Sequence, residues 1–296
     1  IRIARAASGK DKVAFCGYHG WHDWYLSANI DDKENLGGHL LSGLNTFGVP
    51  QALKETSLPF RYNDIDSLYE LINNHDIGVI KMEVSRSFEP EPGFLEAVRE
   101  ISDKNNIVLI FDECTSGFRE TLGGLHKKYK INPDMAMFGK ALGNGYAITA
   151  CIGKEEVMQF AQETFISSTF WTERIVPTAA IKTLEIMERE KSWKKITQTG
   201  KAIKNRWVDL FNKYNLGFEI SGLDSLAAFT IRSNKWLKYK AFMTQEMLKN
   251  NFLATNTVYV CTEHNSNVID KYFYYLEPII KVISECEGGL NIDDFL

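Results

Sequence analysis

The stretch DMAMFGKALGNG at 134–145 decides how this chain is read. An apolar run from Met135 to Phe138 leads directly to Lys140, which is set among glycines at 139, 143 and 145. A short apolar run bounded by glycines reads as a buried strand that delivers a side chain to its carboxyl end. Upstream, IVLIFDE at 107–113 repeats the device and delivers Asp112. Open α/β sheets bind their ligands at the carboxyl ends of strands, so the two residues are expected at one site. An amine there can bond a carbonyl carbon, and an acid can hold a protonated ring nitrogen. An apolar setting would partly desolvate Lys140 and favour its reactive neutral form. Taken singly, Lys140 reads equally as a surface lysine opening a loop, and Asp112 as a strand-end carboxylate capping a helix.

Around this centre the chain alternates short strands with amphipathic helices. KVAFC at 12–16 and GVIKM at 78–82 read as strands, and ITACIG at 148–153 adds another. Ile65, Leu68, Tyr69 and Ile72 mark one face of a helix that Asp64 can cap, and Phe94, Val98 and Ile101 recur at helical spacing. Strands alternating with helices predict an α/β fold, a mostly parallel sheet flanked by helices, over residues 1–190. Beyond it, Ile203, Trp207, Leu210, Phe211 and Tyr214 describe a long helix, SLAAFTIR at 225–232 a strand, and KYKAFMTQEMLKN at 238–250 a further helix. These predict a smaller C-terminal α+β domain over 191–296.

Composition bounds the function. Of 296 residues, 44% are hydrophobic and 24% charged, ordinary values for a globular catalytic chain. A formal charge of −4 without a long basic run argues against nucleic acid as a partner. The five cysteines are scattered, odd in number and free of C-x-x-C spacing, so neither a disulfide framework nor a zinc site is indicated. A reducing cytoplasm is the natural location. The six histidines are too dispersed for a metal site, and none is expected. No apolar run reaches membrane-spanning length, so no membrane partner is expected. No G-x-S-x-G elbow marks a hydrolase, and GNG at 143–145 does not extend to a dinucleotide fingerprint.

Five stretches in chain order carry a resemblance to one family: CGYHGWHDWY at 16–25, PGFLEAVREI at 92–101, FDECTSGFR at 111–119, NPDMAMFGKALGNG at 132–145 and STFWTER at 168–174. The chain resembles the class III aminotransferases of pyridoxal-phosphate fold type I. Within the class it is most similar to glutamate-1-semialdehyde aminomutases. The resemblance implies that pyridoxal 5'-phosphate is the cofactor, bound as a Schiff base on Lys140 with Asp112 at its ring nitrogen. It implies that Tyr18 stacks on one ring face with His19 beside it. Cys114 stands where the family places valine or isoleucine on the opposite face. Thr169 is expected to reach the phosphate of a neighbouring subunit's cofactor, which implies a homodimer. The family's phosphate-binding loop precedes a helix like IRIARAA at 1–7, so the large domain is expected to be N-terminally truncated here.

Trp21, Glu83 and Arg119 are candidate substrate residues, although Glu83 and Arg119 read equally as structural ion pairs and Trp21 as packing. The expected function is transfer of an amino group between a small-molecule donor and a carbonyl acceptor. By the resemblance, Trp21 stands where the aminomutases carry histidine, Phe170 where they carry leucine and Trp171 where they carry serine, and these bulkier rings favour a transaminase with a larger ring-bearing or carbohydrate-like substrate. Alternatives are the aminomutase itself and an inactive scaffold or assembly subunit.

Overall fold

The computed structural model describes residues 1–85 and 87–296. The chain divides into two compact units, Ile1–Glu185 and Ile186–Leu296.

In the first unit six strands form one sheet: β1 (Lys12–Cys16), β2 (Ser57–Pro59), β3 (Ile77–Met82), β4 (Val108–Asp112), β5 (Met135–Phe138) and β6 (Ala150–Gly153). Their spatial order is β2-β1-β3-β4-β5-β6. The first five are parallel, and β6 closes the sheet antiparallel to β5. The mostly parallel sheet expected from the sequence is therefore present, with one antiparallel edge. Strands β1, β3 and β4 are buried almost throughout because helices cover both faces, which is why they read as continuous apolar runs rather than as alternation. Register places Phe15, Lys81 and Ile110 side by side across three strands, so a lysine enters a row whose neighbours pack in the core.

The helices have local causes. Asp64 accepts from Ser67 N at 3.1 Å and starts Ile65–Asn74, whose Leu68 is fully buried. Gly93, at φ 86, supplies the left-handed residue before Phe94–Lys104, where Phe94, Leu95, Val98 and Ile101 are buried. Strand β2 escapes sequence reading because it has three residues and ends in Pro59.

The second unit holds an antiparallel sheet of β7 (Phe218–Ser221), β8 (Leu226–Ile231) and β9 (Thr257–Tyr259). Strand β8 alternates, burying Ala227, Phe229 and Ile231 against helices Ser192–Lys213, Trp236–Lys249 and Ser266–Glu287. Trp207 is fully buried there, its indole nitrogen donating to Tyr272 Oη at 3.1 Å. Asn265 caps the last helix at Val268 N. That helix continues through Pro278, a residue that reads as a breaker in sequence. No helix among the described residues is long and apolar enough to cross a membrane.

Candidate active site

Asp112 ends β4 almost wholly buried. Its Oδ1 accepts from Cys114 N at 3.2 Å, while Oδ2 faces His19 Nδ1 at 2.9 Å and Lys81 Nζ at 3.0 Å. Burial alone would raise its pKa, but the His19 hydrogen bond and the Lys81 charge prevail and hold the carboxyl well below the usual carboxylate range. His19 is itself enclosed, with Nε2 3.1 Å from Cys16 O. Burial pushes its imidazole down, against the pull of Asp112. A ring with one proton can serve one of two acceptors, and the shorter, charged contact to Asp112 takes it. Trp24 stacks on the His19 ring at 6.0 Å and also lies 5.3 Å from Lys81 Nζ.

The turn after β1 is held from below by Glu83. This buried carboxylate accepts from Tyr18 N at 3.0 Å through Oε2. Gly17 has φ 106, and a Cβ built on it would stand 2.6 Å from Glu83 Oε2, so only glycine lets the turn sit this close. Tyr25 Oη donates to Gly17 O at 2.9 Å, and the Tyr18 ring meets Tyr25 edge-on at 6.3 Å. Glu83 thus braces the turn that carries Tyr18 and His19. Beside it lies a cavity of about 510 Å³ lined by His39, Arg61, Tyr62, Asn63, Glu83 and Phe88 among others.

Lys140 follows β5, which pairs with β4 in parallel so that Met137 lies opposite Asp112. Its backbone has φ 43, a left-handed geometry that is uncommon for lysine and that turns the chain out of the sheet. Lys140 Nζ donates to Thr115 Oγ1 at 2.6 Å. The side chain lies exposed, which corrects the expectation of a desolvated lysine: the left-handed turn carries it off the apolar strand end. Cys114 Sγ lies 2.8 Å from the Cβ position of residue 139, so Gly139 is the residue that lets Cys114 pack between the two turns. Beneath them, Glu113 is fully buried. Its Oε1 accepts from His126 N at 2.9 Å and faces His126 Nδ1 at 2.9 Å, and its Oε2 accepts from Ser116 Oγ at 2.5 Å. These bonds fix the turn that presents Asp112, Cys114 and Thr115.

The structure therefore gathers His19, Asp112, Cys114 and Lys140 around two adjacent strand ends, with Tyr18 on the neighbouring turn. Arg119 lies half-buried in the turn after Ser116, whose carbonyl accepts from Arg119 N at 3.2 Å. Trp21 is exposed and stacks on His22 at 5.1 Å. Thr169 opens an exposed helical turn, Thr169–Thr172, and Glu173 caps the following helix by accepting from Val176 N at 3.0 Å. Neither Trp21 nor Thr169 belongs to the hydrogen-bonded cluster at Asp112 and Lys140 among the described residues. Sequence reading missed Lys81 and Thr115. A single lysine inside the otherwise apolar IGVIKM is the signal that would have found Lys81. No group of His, Cys, Asp and Glu among the described residues is arranged to hold a metal ion.

Residues 86–268 match the family model described as Aminotransferase class-III. The chain belongs to the class III aminotransferases. Relatives of this aminotransferase include the 3-aminobutyryl-CoA aminotransferase of Cloacimonas acidaminovorans, 33% identical over 98% of this chain and 69% of the relative. The glutamate-1-semialdehyde 2,1-aminomutase of Methanosphaera stadtmanae is 29% identical over 94% of this chain and 70% of that protein. In fold, the chain is similar to the FumI protein of Sphingopyxis sp. MTA144, solved in its PLP internal aldimine form, with a TM-score of 0.82 at 19% identity over 98% of this chain and 69% of that one. An omega-transaminase from Sphaerobacter thermophilus gives a TM-score of 0.79 at 22% identity over 95% of this chain and 70% of that one. These likenesses make the large sheet a fold type I transaminase sheet.

This family is pyridoxal-phosphate-dependent, and the residues present fit that cofactor. A carboxylate held ionised at the end of β4 can hold a proton on a pyridine nitrogen, and an accessible amine after β5 can bond an aldehyde.

Proposed function

We propose that this aminotransferase works through Lys140 and Asp112, moving an amino group between separate donor and acceptor molecules. The observation that carries the reading is a buried, ionised Asp112 at the end of β4, beside the strand that leads to Lys140. Bound pyridoxal phosphate supplies an aldehyde carbon for amine exchange and a ring that withdraws electrons. Lys140 would hold the cofactor through its Nζ and would serve as the base that moves the substrate's proton. Asp112 holds the proton at the ring nitrogen, and His19 orients Asp112. Tyr18, on the turn after β1, and Cys114, after β4, would help hold the ring. Glu83 sets the Tyr18 turn, so its effect on substrate is exerted through that turn. Trp21 and Arg119 are assigned to the substrate approach.

The assembly we propose is a homodimer in which Thr169 reaches the neighbouring subunit's cofactor phosphate. Exposed Trp21, Phe165, Phe170 and Trp171 support an apolar surface for a second copy. Free, scattered cysteines support a cytoplasmic location. A test mixes Lys140→Ala with Thr169→Ala subunits: one site of a mixed dimer then carries both lesions and the other neither, so about half of the activity per dimer returns. No recovery removes Thr169 from the trans role.

For the substrate, the relative named for 3-aminobutyryl-CoA supports an acyl thioester with an amino group at the β carbon as donor. The protein is supplied first with glutamate-1-semialdehyde alone, then with 3-aminobutyryl-CoA, glutamate or alanine together with keto acid, keto-sugar and aldehyde acceptors. Turnover only with a donor and acceptor pair is the expected result. Rapid 5-aminolevulinate formation from the semialdehyde alone makes the chain a mutase.

A further inference from the structure

Lys81 is out of character for its strand. β3 reads IGVIKM, and the residues beside Lys81 in register, Phe15 and Ile110, pack in the apolar core. A buried lysine persists only where something compensates its charge. Here the compensation is Asp112, two residues beyond Ile110 on the same face of the sheet: Lys81 Nζ lies 3.0 Å from Asp112 Oδ2, and the Lys81 side chain is 12% exposed. Trp24 faces the same ammonium at 5.3 Å.

We propose that Lys81 is a positioning residue of the reaction, a fixed cation that shares Asp112 with the ring nitrogen of bound pyridoxal phosphate and loosens the ring's hold on its proton. The proposal rests on Asp112 as the ring partner. A carboxylate offers about four lone-pair sites, so His19 and Lys81 on Oδ2 and Cys114 N on Oδ1 leave room for one more donor. The limit is charge rather than space. With His19 kept neutral by burial, Lys81 is the full positive charge beside Asp112 and offsets much of the negative potential that would otherwise fix a pyridinium proton. Other titratable groups facing this pair are Cys114 after β4 and Cys151 on β6. The consequence is an electron sink of adjusted strength. A lysine that served only to pack beside Asp112 would leave the titration of the ring nitrogen unchanged when its charge is removed.

The ring nitrogen itself reports the difference. Protein loaded with ring-15N pyridoxal phosphate is titrated by NMR for the wild type, Lys81→Met, Lys81→Gln, Lys81→Arg and Asp112→Asn, with melting curves on each to confirm folding. Removing the charge in the Met and Gln variants should raise the midpoint of ring-nitrogen titration by about one pH unit or more. Lys81→Arg should keep the wild-type midpoint, and Asp112→Asn should lower it. If Asp112→Asn lowers the midpoint while Lys81→Met and Lys81→Gln leave it unchanged, Lys81 is structural only and the proposal is overturned. An arginine variant that moves as far as methionine overturns it too, since packing rather than charge would then be the cause. Failure of both neutral variants to fold counts the same way. A midpoint indifferent to Asp112→Asn instead removes Asp112 from the ring nitrogen, and the assignment of Lys81 falls with it.

Discussion

Lys140 Nζ and Thr115 Oγ1 are 2.6 Å apart, a contact between the turn after β5 and the turn after β4. It ties the amine to the strand that carries Asp112, because Thr115 sits on the turn that Glu113 fixes through Ser116 and His126. Thr115→Val keeps the shape and removes the acceptor. One lost hydrogen bond corresponds to about 0.5–1.5 kcal/mol, so kcat should fall about two- to tenfold while Thr115→Ser retains most activity. Steady-state kinetics on the three proteins decide this, and equal rates for valine and wild type would release Lys140 from Thr115.

Lys140→Ala should abolish the borohydride-sensitive visible absorbance that develops with pyridoxal phosphate. Turnover should drop by roughly three orders of magnitude or more, the scale of a lost proton-transfer group. The melting temperature should hardly move, because the side chain is exposed. A variant that keeps the absorbance would place the tether elsewhere.

Stability should decline on mild acidification through His39. Its Nδ1 accepts from Gly17 N at 3.1 Å, and burial, aided by His19, lowers its pKa from 6.5 to about 4. Between those values the unfolded chain binds more protons than the folded one, so stability rises with pH across the window. The contribution is complete above about pH 6.5 and is lost as pH falls through about 4. Melting curves recorded across that window should show a shallower slope for His39→Gln than for the wild type.

Gly200→Ala tests the second unit. Helix propensity would favour alanine by about 1 kcal/mol. The new methyl, however, would stand 1.7 Å from the Asp224 carbonyl oxygen. Backbone must move, so a net loss of about 2–4 kcal/mol is expected in denaturant unfolding. A neutral result would mean that the loop holding Asp224 gives way freely.

Local chemistry was enough to find the frame. Continuous apolar runs marked β1, β3, β4 and β5 because a strand buried on both faces has no polar side to show, and the same runs aimed Asp112 and Lys140 at one end of the sheet. Where an element is short or interrupted, local signals failed. β2, β7 and β9 span three or four residues, and the helix Ser266–Glu287 runs through Pro278. Its buried face, with Tyr272, Leu276, Ile280 and Ile283, outweighs the missing hydrogen bond.

The sequence by itself determined which residues can do chemistry, since an amine and an acid at strand ends are properties of local pattern. Tertiary structure alone decided what surrounds them. Lys81 meets Asp112 only because parallel register sets β3 beside β4, and His19 meets it only because β1 and its turn lie one strand further away. The left-handed turn at Lys140 likewise decided that solvent reaches the amine. Charge pairs between residues distant in sequence depend on strand order and register, and a single chain read along its length encodes neither in any one segment.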